Sequence, residues 1–220
     1  MAKYVITFAK EGYIKYTSHL DVMRMFKRAF KKSGLHLAHS QGFNPTPKLS
    51  IAQPLSLGYE ARGEMAEFET KEDYDPQDVL QRLNGQMPTG IHILACRIKR
   101  EGEKGLAASC KAADYTIQIP YDGNLEVPRK DVAETFLSQD TISAWKKTKK
   151  KKEPVEINIR PMIQSLRIER VGDNIIMFTK LDAGSKSNLS PELLLRAYFD
   201  FTGVPVDREK IEITREKLYM

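Results

Sequence analysis

The chain has 220 residues, a length that suits one large domain or two small ones, each able to bury its own core. Its two cysteines, Cys96 and Cys110, stand apart with no CxxC spacing, so no disulfide framework is needed and ordinary thiols of a reducing compartment are expected. The net charge of +6 is modest, and no apolar run reaches the roughly 18 residues of a membrane helix, so a soluble cytoplasmic protein without membrane contact is expected.

Lys3 to Thr7 alternates as a strand, Glu11-Gly12 signals a turn, and Tyr13 to Tyr16 is expected to extend as a second short strand. A helix follows. Ser18 is its N-cap, Asp21 puts a carboxylate in the first turn, and Val22, Met23, Phe26, Ala29 and Phe30 recur at helical spacing until Gly34 stops it. The segment HLAHSQGFNPTPKLSIAQPLSLGYE is a long loop of rigid turn residues that leads into a strand at Leu49–Ala52. Glu64 to Thr70 alternates, with Ala66 and Phe68 on one face and Glu67 and Glu69 on the other. Asp75-Pro76 opens a short helix to Leu83, and Gly90 to Ile98 is a strand. The order β-α-β-β-α-β is that of the ferredoxin-like plan.

Beyond a joint at Arg100–Lys104 the same kinds of element recur in a less tidy order. Strands are expected at Tyr115–Ile119, Leu166–Arg170, Asn174–Lys180 and Ile211–Leu218, helices at Arg129–Ser138 and from Ser190-Pro191 to Phe201, and a hairpin over Thr141–Ile159. The fold class is thus α/β (α+β), built of two ferredoxin-like or related halves, residues 1–104 and 105–220. No internal sequence repeat supports a duplication.

Charge is unevenly spread. Residues 1–50 carry nine Lys/Arg against two acids, and residues 60–78 carry eight acids against two bases, which points to two faces for two partners. The first helix bears Arg24, Lys27, Arg28, Lys31 and Lys32 away from its apolar stripe, a basic ridge suited to phosphates and equally to plain solvation. Lys48 adds a cation in the loop. Further on, Trp145 precedes Lys146, Lys147, Lys149, Lys150, Lys151 and Lys152, a block that cannot bury itself. It serves either to guard a strand edge or to grip a polyanion beside a stacking ring.

His19 and His39 flank cap and turn residues. They are the groups a metal-independent ribonuclease would use as base and acid, or else imidazoles that hydrogen-bond loop backbone. No cofactor or metal is expected: P-loop, dinucleotide and serine-hydrolase motifs are absent, and no CxxxCxxC is present to hold an iron–sulfur cluster.

YTSHLDVMRMFKRAF and AHSQGFNPTPKLSIAQPLSLGYE carry a resemblance. The matching positions are Tyr16, Ser18, His19, Leu20, Asp21, Arg24, Arg28 and Ala29, then Ser40, Gln41, Gly42, Phe43, Asn44, Pro45, Pro47, Lys48, Pro54, Leu55, Gly58 and Glu64. Weaker matches continue to Arg215 and Leu218-Tyr219. On these residues the chain resembles the radical-SAM-linked proteins, a bacterial family of unknown function found fused to or beside radical SAM enzymes. Thr46 stands where that family commonly has histidine. The resemblance implies a radical SAM enzyme as partner and marks Tyr16, Ser18, His19, Asp21, Ser40, Gln41, Gly42, Asn44, Pro45 and Pro47 as a motif loop. The expected function is a non-catalytic RNA-binding or substrate-presenting partner of such an enzyme. A metal-independent endoribonuclease and a protein-interaction module without RNA are the alternatives.

Overall fold

The structure is a computed structural model that describes residues 2–120, 130–146, 153–203 and 207–220. It divides into a first unit ending at Cys110 and a second from Lys111 to Tyr219.

The first unit contains β1 (Lys3–Lys10), α1 (His19–Ser33), β2 (Leu49–Ile51), β3 (Glu60–Glu69), α2 (Pro76–Asn84), β4 (Ile91–Ile98) and a single turn, α3 (Leu106–Ser109). β1 lies between β3 and β4, and β2 pairs with the other edge of β3, with every pairing antiparallel. The sheet order is therefore β4-β1-β3-β2.

Alternation along β1 sends Tyr4, Ile6 and Phe8 to one face, where they meet Val22, Phe26, Ala29 and Phe30 of α1 and Val79 and Leu83 of α2. Rings lock the layers together. Phe8 and Phe26 meet edge to face at 5.0 Å, and Phe30 meets Phe68 at 4.6 Å. The helix ends follow the sequence: the Ser18 hydroxyl accepts from the Asp21 backbone N–H at 3.2 Å, and Gly34 closes α1 with φ 74°. Asp75 caps α2 by accepting from the N–H groups of Gln77 and Asp78.

The second unit contains β5 (Ala112–Pro120), α4 (Lys130–Leu137), β6 (Ser143–Lys146), β7 (Val155–Asn158), β8 (Ile163–Val171), β9 (Asn174–Asp182), α5 (Pro191–Thr202) and β10 (Glu212–Tyr219). Its sheet order is β10-β5-β9-β8, again antiparallel throughout, while β6 and β7 form a separate hairpin. With that hairpin set aside, the second unit repeats the connectivity of the first. Both run strand-helix-strand-strand-helix-strand, with the fourth strand beside the first and the second beside the third. The "less tidy" order expected from sequence is an insertion between α4 and β8.

Other expectations need correction. Tyr13–Tyr16 is no strand; Gly12–Tyr16 is a 3-10 turn, entered through Gly12 at φ 69°. The buried Lys10 ammonium, only 3% exposed, donates to the carbonyls of Lys15 and Thr17 and holds the end of that turn in place. β3 starts four residues before Glu64, with a bulge at Arg62-Gly63 opposite Phe8–Lys10. Among the described residues, no helix is long and apolar enough to cross a membrane.

Candidate functional site

Helix α1 places all five of its basic side chains in solvent. Val22, Phe26, Ala29 and Phe30 claim the inner face, and Arg24, Lys27, Arg28, Lys31 and Lys32 take the rest. Arg24 is partly occupied: it donates to Asp21 at 2.8 Å. The Ser18 hydroxyl and then Arg24 hold the Asp21 carboxyl below the usual range. Lys27, Lys31 and Lys32 have no ion-pair partner among the described residues.

After α1 the chain turns into a small hairpin. His39 bridges Pro47, the Ser40 N–H donates to the Thr46 carbonyl at 2.9 Å, and the Thr46 N–H returns to the Ser40 hydroxyl at 3.0 Å. Lys48 N–H donates to Ala38 and Ala38 N–H to Glu69, which fastens the hairpin to β3. Its tip is solvent-exposed: Gln41, Asn44 and Pro45 are open, Gly42 has φ 130°, and Phe43 is fully exposed. Pro45 and Pro47 each fix φ at about −65°, which limits how far this hairpin can bend.

Between α1 and this hairpin lies a cavity of about 270 Å³. Phe30, Leu35, Leu37 and Pro47 supply apolar lining, and Lys27, Lys31, Lys71, His36 and His39 bring the polar groups. Lys71 also lacks an ion-pair partner among the described residues. It arrives from the far end of β3, because Leu37 bridges Thr70 and the Lys71 N–H donates to the His36 carbonyl at 2.9 Å. His39 Nδ1 lies 3.1 Å from the Leu37 carbonyl, which can only accept, so Nδ1 carries the proton and Nε2 is left for other contacts. His36 approaches Glu72 at 3.5 Å.

The sequence reading missed Lys71 and His36, since no spacing links them; only the pairing of β3 with the segment after α1 brings them together. His19 does not line this cavity, and its imidazole makes no hydrogen bond among the described residues, so the loop-bracing role expected of it falls to His39.

A second cavity of about 310 Å³ is lined by Lys3, Lys48 and Lys99 with Glu67 and Glu69. Here the charges are already matched. Lys48 donates to Glu69 at 2.6 Å, Lys3 reaches Glu69 at 3.3 Å, and Lys99 pairs with Glu67. Lys48, and then Lys3, hold the Glu69 carboxyl low. Lys48 is therefore engaged within the unit, not placed with the ridge.

Part of the acidic 60–78 stretch is engaged in the same way. Glu60 accepts from the Gly12 N–H at 2.9 Å, Glu64 is buried, Asp75 is a cap, and Asp78 pairs with Arg82. These four acids have partners within the first unit, while Glu72, Asp73 and Asp75 remain solvent-exposed.

In the second unit Trp145 is 57% exposed on β6 opposite Glu156, with Lys146 half-buried beside it. Lys147, Lys149, Lys150, Lys151 and Lys152 lie outside the described residues. Among the described residues no group of three or more His, Cys, Asp or Glu is placed to hold a metal ion. Burial pushes the Cys96 thiol up to about 11, so it is a poor nucleophile.

No curated protein matches the chain. Among solved structures, a Cbf5-Nop10-Gar1 complex matches 98% of this chain with a TM-score of 0.53 at 9% identity. This chain spans 48% of that one, about half its length, and the likeness is one of fold. An unknown protein from Galdieria sulphuraria aligns over 97% of this chain and 98% of its own, at 13% identity and a TM-score of 0.29. The model of the family described as "Uncharacterized protein conserved in bacteria (DUF2344)" matches residues 3–191, and the chain belongs to that family.

Proposed function

We propose that this protein binds RNA through α1 and the adjoining cavity, does no chemistry of its own, and presents that RNA to a radical SAM enzyme. One observation carries the reading: Lys27, Lys31 and Lys71 stand around one cavity without internal carboxylates, while the lysines of the neighbouring cavity are all paired. An exposed cation without a partner gives up little on meeting a phosphate, and each phosphate contact releases counterions from the nucleic acid.

The enzyme partner rests on the motif resemblance, and the same motif region supports a place for it. Tyr13 is 94% exposed, Tyr16 63% and Leu20 65%, and the Gly58 N–H donates to the Lys15 carbonyl, drawing in the loop that carries the exposed Leu57. Affinity purification from native cells tests the pairing. A radical SAM enzyme is expected to co-purify with the wild type and to be lost with Tyr13→Ser and Leu20→Ser together, RNA binding being retained. Its repeated absence with abundant bait overturns the partner assignment.

A second reading, a metal-independent endoribonuclease, is favoured by His36 and His39 lining the cavity that holds the unpaired lysines, because general acid–base cleavage needs two such groups. Incubation of RNA in chelator separates the two readings. Intact RNA is expected. Cleavage that His39→Ala abolishes in a folded protein would establish the nuclease.

A further inference from the structure

The cavity beside α1 is built for more than phosphate. Resting on the RNA-binding reading, we infer that it seats one unstacked nucleotide of a single-stranded RNA, its base against the apolar lining and its phosphate among the lysines.

The lining decides the first half. Phe30, Leu35 and Leu37 are buried, and Pro47 joins them at the cavity wall. A bare phosphate placed there would lose water and gain nothing from these carbons, so the ligand must bring an apolar part of its own. Within about 270 Å³ that part is compact, the size class of a flat ring system, not of a long acyl chain.

The charge decides the second half. Lys27, Lys31 and Lys71 have no carboxylate partner among the described residues, so the ligand is an anion. The cationic surface does not stop at the cavity: Arg24, Arg28 and Lys32 continue it along the exposed side of α1. A lone small amphiphile has no use for that extension, whereas a polymer with a phosphate at every residue does.

Duplex RNA cannot deliver a base to such a cavity, because its bases are stacked and paired; single strands can. The walls are also ready-made. The hairpin hydrogen bonds between Ser40 and Thr46 and the anchored His39 ring fix one side before any ligand arrives.

The test uses the full chain and four probes followed by amide NMR and calorimetry: adenosine 5′-monophosphate, adenosine, inorganic phosphate and an unstructured eight-nucleotide RNA. The monophosphate is expected to bind at least about tenfold more tightly than either adenosine or phosphate. It should shift the resonances of Leu37, His39 and Lys71, and Lys27→Gln with Lys71→Gln should weaken it and the oligonucleotide alike. Equal binding of monophosphate and phosphate, or shifts that avoid these residues, overturns the inference. If the oligonucleotide binds on α1 and the monophosphate binds nowhere, the nucleotide pocket is wrong and the RNA reading stands. If neither binds, both fall.

Discussion

Single residues carry several consequences that can be checked alone. Phe26 is 1% exposed and packed on Phe8, so Phe26→Ala removes a ring that nothing can replace; a loss of about 3–5 kcal/mol is expected in denaturant unfolding. Tyr198 is the opposite case. Its ring is buried among Phe136 and Phe199, yet its hydroxyl has no hydrogen-bond partner among the described residues, and burial lifts its pKa. Tyr198→Phe is therefore expected to be neutral or stabilising by about 1 kcal/mol, and a marked destabilisation would reveal a partner for that hydroxyl. Glu103 accepts from both Arg97 nitrogens and from the Arg100 N–H, in that order of influence, which lowers its carboxyl from an ordinary 4.5 to about 2. A folded pKa below the unfolded one means the contribution is full above about pH 4.5 and is lost as pH falls toward 2. The Glu103 carboxyl carbon is expected to titrate with a midpoint near 2 by NMR, and an ordinary midpoint would contradict the pairing. At this scale the sequence was a good guide where chemistry is local. Ser18, Gly34, Asp75 and the five bases of α1 announce themselves within one turn of helix, whereas Lys71 and His36 meet only through a strand pairing that no local pattern records.

Among the elements, the hairpin between His39 and Pro47 matters most to the proposed site. Ser40 serves it twice, through its N–H to Thr46 and through its hydroxyl, which accepts from the Thr46 N–H. Ser40→Ala is expected to cost about 1 kcal/mol and to weaken RNA binding without touching a phosphate contact, so the salt slope of binding should stay the same. Gly90 fixes a second contact: at φ 92°, its carbonyl accepts from the Glu11 N–H, and a Cβ there would run into the Glu11 carbonyl and Ile14. That close approach explains why Gly12–Tyr16 wraps as a turn. The alternation of Tyr13 to Tyr16 looks like a strand in sequence, and only the buried Lys10 and the approach of Gly90 turn it.

Across the whole chain, the helices and strands of both units other than the single turn α3 were legible because each satisfies a simple period, 3.6 or 2. The repetition of one connectivity was legible only as an expected topology, with no sequence repeat behind it. Two β-α-β-β-α-β units need the same apolar rhythm and no common residues, and the β6–β7 hairpin breaks the spacing of the second. The net charge of the whole chain says little about where charge is available, since several acids after Glu60 pair with their own unit's lysines and backbone while Lys27, Lys31 and Lys71 have no ion-pair partner among the described residues. The most direct measurement of that imbalance is the salt dependence of binding to an unstructured single-stranded RNA, wild type against Lys27→Gln, Lys31→Gln and Lys71→Gln combined. The triple variant should fold normally, bind more weakly, and show a log–log slope flatter by about 2, at about 0.7 per lost contact. A folded triple variant with unchanged affinity and slope, or a wild type that binds no RNA at low salt, would contradict the assignment of this face to RNA.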